Sequence, residues 1–294
     1  MLITAVDLRI RLLLNWRLVM DVWKPLAFVM LALPGMAVAQ DVATPPATVF
    51  SSQGTGPAIG FTLRGGVSSS PSYFGSDSND VGPDIGFNLD YLRLGGFTIG
   101  SQDPLYQPRG FGATGSFRFI QERSASDDPE LTGLADVDAS LELGGGLRYA
   151  AENWQVYGNV RYGIIGHEAF VGELGADVFV RPSDRLTLRA GPRAFFGDSD
   201  YASTYFGVTA AESAASGLPA FDADGGLLTT GVELGAGYRL NDRWGVDAAI
   251  RYERLQNSAA DSPISRDDSG VSARIGLTRR FTGKAVPISK GQIK

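Results

Sequence analysis

A two-residue alternation of apolar and polar side chains, sustained over ten separate stretches, constrains this chain more than any other feature. Leu141, Leu143, Gly145, Leu147 and Tyr149 alternate with Ser140, Glu142, Gly144, Gly146 and Arg148. After a four-residue break, Trp154, Val156, Val160 and Tyr162 alternate with Gln155, Asn159 and Arg161. Successive side chains of a strand point to opposite faces, so each run makes one oily face and one polar, partly charged face. A soluble sandwich would show the same pattern, and length separates the two readings. The runs cover about nine to twelve residues, which a tilted strand needs to cross a bilayer, whereas soluble strands average about five or six.

The other runs are Ile59 to Val67, Ile85 to Tyr91, Phe111 to Phe119, Leu174 to Val180, Leu186 to Ala190, Leu228 to Tyr238, Trp244 to Tyr252 and Val271 to Phe281. Short polar connectors at 150–153, 181–184 and 241–243 alternate with long ones at 68–82, 121–137, 197–226 and 256–269. Outer-membrane barrels keep short turns on the periplasmic side and long loops outside. A chain that enters and leaves on the periplasmic side needs an even number of strands. The sequence therefore predicts an all-β, transmembrane, antiparallel up-and-down barrel of about ten strands, with twelve as the alternative. In the ten-stranded reading, Phe97 to Ser101 and Thr204 to Val208 are pieces of a turn region and of an outer loop. Tyr149 with Trp154, Tyr238 with Trp244, and Tyr91, Tyr162 and Tyr252 stand at run ends, where interfacial aromatics belong.

Residues 1–39 read as a signal peptide. An apolar run from Pro25 to Leu33 follows Lys24, Ala37-Val38-Ala39 has the small-x-small cleavage pattern, and Met20 would be a more ordinary start. A Pro- and Ser-rich periplasmic lead-in follows at 40–57, then the barrel at 58–281 and a polar tail at 282–294. Removing the leader takes away four basic and two acidic residues and leaves 22 against 30, a net charge of −8. No stripe of that chain is suited to neutralising phosphates, which excludes nucleic-acid binding. With no cysteine, disulfides and thiolate metal sites are excluded. Between Gln40 and Gly283 every basic group is arginine, a planar fork suited to pairing with carboxylates.

The polar faces carry Arg64, Arg118, Arg148, Arg161, Arg189, Arg239, Arg251 and Arg274 together with Glu142, Glu233, Asp247 and Glu253. In a narrow barrel these line the lumen. They would form an ion-pair ladder that fills and stiffens it, or alternatively a selective polar channel. His167, the single histidine, follows Gly166 in a connector without a neighbouring base, nucleophile or ligand set. It reads as a structural residue bonded to backbone rather than a catalytic one. No catalytic residue, cofactor site or metal site is expected. Gly144-Gly145-Gly146 reads as room for close strand packing.

Several stretches resemble the MltA-interacting protein (MipA) / OmpV family of outer-membrane proteins. They are Pro71 to Asp77, Leu131 to Leu134, Arg161 with Gly166-His167, Gly191-Pro192, Tyr201 with Tyr205-Phe206-Gly207-Val208, and Ala214 to Pro219 leading to Gly225-Gly226. The resemblance implies a barrel of the Gram-negative outer membrane, in contact with its lipid and lipopolysaccharide and without known catalysis. It further implies a scaffold that brings a murein transglycosylase together with a murein synthase; a narrow channel for small polar solutes and a surface adhesin or antigen are the alternatives. Outer-membrane barrels of this kind usually finish on an aromatic residue, and Phe281 stands at that place although thirteen residues follow it.

Overall fold

In a computed structural model of the protein, residues 57–94, 97–103, 106–107 and 109–284 are described. The leader, nearly all of the lead-in and residues 285–294 of the tail lie outside them. Ten long strands of 11 to 16 residues form one antiparallel sheet: β1 (Ala58–Pro71), β2 (Asn79–Leu94), β4 (Gly110–Ile120), β5 (Ser140–Ala150), β6 (Trp154–Ile165), β7 (Phe170–Ser183), β8 (Leu186–Gly197), β9 (Gly226–Arg239), β10 (Trp244–Leu255) and β11 (Ser269–Lys284). At about 3.3 Å per residue even the shortest covers a hydrocarbon core of about 30 Å when tilted. The four-residue β3 (Phe97–Gly100) pairs only with the end of β2, so the residues from Phe97 belong to a turn region.

The spatial order is β3-β2-β1-β11-β10-β9-β8-β7-β6-β5-β4. First and last long strands pair from Ala58↔Lys284 to Ser69↔Ala273, which brings the start of β1 beside the end of β11 in a nearly closed ring. The remaining seam, between β2 and β4, carries no backbone hydrogen bond among the described residues.

The distribution of side chains is inside out relative to a soluble protein. Phe111 is 85% exposed, and Leu147, Val160, Leu174, Val178 and Ile275 also face outward. A continuous apolar belt of this kind marks a surface that meets lipid. Charged side chains occupy the inner face. Strong inward curvature crowds that face: a Cβ on Gly144 would collide with the Val160 carbonyl, and one on Gly191 with the Ala176 carbonyl. Of the aromatics flanking the short turns, Tyr149 and Trp154 pair as rings 5.6 Å apart. Tyr91 departs from its expected place. A bulge that gives Asp90 no partner on β1 turns Tyr91 toward Gly60 on the inner side, where it is 8% exposed.

Apolar packing of the soluble kind gathers at the long-loop end. Helix α1 (Ser199–Phe206) and helix α2 (Ala210–Ser216) lie in the loop between β8 and β9, and a one-turn helix α3 (Ser258–Asp261) lies between β10 and β11. Alternation shows no helix there, and Thr204 to Val208 proves helical up to Phe206 rather than extended. The reason is capping: the Asp198 side chain accepts the Tyr201 N–H at 2.9 Å, and Thr209 with Glu212 forms a reciprocal capping box.

Candidate functional site

The barrel interior is built from the polar halves of the strands. On one wall, Glu142 of β5 is fully buried, and Arg161 of β6, 3% exposed, donates from Nε to Glu142 Oε2 at 2.7 Å. Arg161 Nη1 also lies 3.0 Å from Glu173 Oε2 of β7. On the opposite wall, Arg189 reaches Asp247 at 3.1 Å and Glu233 at 3.4 Å, and Arg274 reaches Asp247 at 2.9 Å. Arg64 pairs with Asp84 of β2 and stands 3.7 Å from Asp247. Arg251 ties the walls together, 2.8 Å from Glu233 and 3.5 Å from Glu173. Each of these arginine forks engages at least two carboxylates, for which its planar spread of donors is suited.

Most of the sequence-selected charges meet in this layer: Arg64, Arg161, Arg189, Arg251, Arg274, Glu142, Glu233 and Asp247. Arg118 sits at its upper edge, 3.7 Å from Glu142, and Glu253 lies 3.6 Å from Arg251. Two stand apart toward the short turns. Arg148 has a buried Nε without a hydrogen-bond partner among the described residues, and Arg239 donates to the Asp184 carbonyl at 3.1 Å. The layer also uses residues the sequence reading passed over: Asp84, Glu173, and the pair Arg193–Asp177 at 2.6 Å. Glu173 and Asp177 alternate with Leu174, Ala176 and Val178, so the same two-residue rule reaches them. Arg193 lies past Pro192, where the apolar run stops.

A cavity of about 850 Å³ lies on the long-loop side of this layer, touching Arg64, Glu173, Glu233 and Arg251. Another of about 890 Å³ lies on the short-turn side, touching Thr62, Asp90, Asp247 and Arg280. Arg280 stands 3.6 Å from Asp90, whose carboxylate accepts the Thr62 hydroxyl at 2.6 Å.

All five long-end connectors fold into one cap over the lumen. Phe74, between β1 and β2, packs edge-on against Tyr205 at 5.1 Å, and Tyr205 lies 4.6 Å from Tyr201. Arg123, between β4 and β5, donates to the Tyr205 carbonyl at 2.8 Å, and Ser262, between β10 and β11, donates to that of Phe206 at 2.6 Å. Burial pushes the Tyr201 and Tyr205 hydroxyls up from the ordinary tyrosine range. Burial, reinforced by Glu130, raises Tyr73 to about 12.

The family-like residues hold the cap to the barrel. Gly166 has φ +90°, and a Cβ there would clash with Ser140. That turn buries His167, whose Nδ1 accepts the Ala169 N–H at 3.1 Å, leaving Nε2 3.3 Å from Glu142 Oε1. The imidazole edge meets Tyr201 at 5.0 Å. Gly207 ends α1 with its N–H on the Ser203 carbonyl at 3.0 Å. Pro192 sits within β8 opposite Val232. Among the described residues no group of His, Asp and Glu has the geometry to hold a metal ion.

A lipid-facing apolar belt, a lumen of paired charges, long connectors at one end and short turns at the other define a β-barrel of the outer-membrane type. The model of the family described as MltA-interacting protein MipA matches residues 63–281, and the chain belongs to that family. No curated protein matches it. Among solved structures, an outer-membrane channel from Pseudomonas putida F1 is 10% identical over 81% of this chain and 100% of its own, with a TM-score of 0.37. Salmonella typhi OmpF is 14% identical over 77% of this chain and 57% of its own, at 0.31. Ail, the attachment invasion locus protein of Yersinia pestis, is 15% identical over 77% and 99%, at 0.23.

Proposed function

We propose that this protein resides in the outer membrane as a non-enzymatic scaffold. In this reading its short-turn end docks periplasmic cell-wall enzymes, namely a murein transglycosylase and a murein synthase, while its belt and long loops meet lipid and lipopolysaccharide. The observation that carries the proposal is the layer of buried ion pairs across the barrel, with separate cavities on its two sides. A bore held shut by such pairs suits a rigid post better than a conduit. The description of the family, whose namesake interacts with MltA, supports the choice of partner.

Refolded protein used as bait in an envelope extract is expected to retain a transglycosylase and a synthase. Recovery of neither removes the docking role. In planar bilayers the same material is expected to give no steady conductance, and regular single-channel openings would assign the polar-solute channel instead.

A further inference from the structure

The seam between β2 and β4 breaks a rule the rest of the barrel obeys. In hydrocarbon every backbone N–H and C=O needs a partner, because no water is present to supply one. Here two edges run side by side without a backbone hydrogen bond between them. The gap is bounded at both ends. Toward the cap, the Gln121 amide packs on Gly82, where a Cβ would clash, and toward the short turns β3 covers β2 from Tyr91 to Leu94.

The cavity on the long-loop side reaches this gap. Its lining includes Ile85 and Phe119, which point away from the lumen and are 70% and 58% exposed, together with Arg64 and Arg118, which point inward. One space therefore adjoins both unpaired edges, where β2 and β4 exchange no backbone hydrogen bond. Arg118, on the seam strand itself, has 31% of its side chain accessible, while its buried Nη1 faces Glu142 Oε1 at 3.7 Å. Its guanidinium lies 5.4 Å from the Phe74 ring centre and 4.7 Å from that of Phe195. The volume, about 850 Å³, falls within the roughly 300 to 1,000 Å³ of pockets that enclose small ligands.

We infer that the β2/β4 seam is a lateral portal through which a single-chain anionic amphiphile, such as a long-chain carboxylate, enters from the membrane and sets its head group on Arg118. The apolar chain then lies between Ile85 and Phe119. The head group pairs with the accessible part of the Arg118 guanidinium. The inference rests on the placement of the barrel in a membrane and is independent of the docking role.

The test uses the folded full chain in neutral detergent with palmitate carrying a diazirine on its chain. Binding is expected to saturate at one molecule per barrel, with cross-links at Ile85 and Phe119 exceeding those at Val178 on the outer wall of β7, away from the seam. R118Q is expected to weaken binding about tenfold, the fold-change that loss of one charge-assisted hydrogen bond produces. Ile85→Trp, at an exposed lipid-facing site that leaves the fold intact, is expected to weaken it by obstruction. Non-saturating label shared evenly with Val178 overturns the portal. So does unchanged affinity in R118Q whose barrel still shows heat-modifiable mobility, or equal competition by a cationic single-chain detergent.

Discussion

Glu142 shows how one carboxylate can fasten two parts of this protein. It accepts from Arg161 within the barrel and faces both Arg118 and His167 beneath the cap. Replacing it with Gln strands neighbouring buried cations, and breaking a buried pair by removing one partner costs about 3–5 kcal/mol. Arg161 keeps Glu173, so E142Q is expected near the lower end, about 3 kcal/mol, read as a fall in the urea midpoint of the refolded barrel in detergent. E173Q is expected to cost less, because its partners Arg161 and Arg251 retain Glu142 and Glu233. Glu142 was legible from alternation as an inward charge. Its link to His167 was not, because that contact depends on a left-handed turn at Gly166 that places the ring under the cap.

The elements differ in how openly the sequence announces them. All ten long strands follow from period-two patterning, because lipid on one side and charge on the other enforce strict alternation. A bulge is invisible to that rule, which is why Tyr91 ends on the inner side. Helices α1 and α2 carry little apolar periodicity, but the capping box from Thr209 to Glu212 and the left-handed Gly217 behind it are readable start and stop signals. Glu212 also accepts the Ala135 N–H at 2.9 Å, latching α2 to the β4–β5 loop. Burial pushes its carboxyl upward, but the hydrogen bonds from Thr209 and from backbone amides outweigh this and hold it below the ordinary range. A lowered carboxylate contributes stability above its unfolded value and loses it as pH falls through the folded one. Amide exchange at Ala135 is therefore expected to be slow at neutral pH and to accelerate once Glu212 is protonated. T209A is expected to cost α2 about 1 kcal/mol at neutral pH.

At the scale of the whole molecule, the oily surface is outside and the ion pairs are inside. The chain from residue 40 onward is expected to elute as one species only with detergent; a monodisperse peak in plain buffer would contradict the lipid-facing belt. The neighbour-beside-neighbour order of the strands and the ladder of inner charges could be anticipated because both are periodic. The single cap could not, because it arises from contacts among five connectors far apart in sequence. That cap makes the exposed surface of the long-loop end a composite of several chain segments. An antibody raised against it meets one conformational epitope assembled from several segments, so short linear peptides copied from any one loop would make poor immunogens. Escape from such an antibody by mutating a shared aromatic such as Tyr205 would loosen the neighbouring loops along with the epitope.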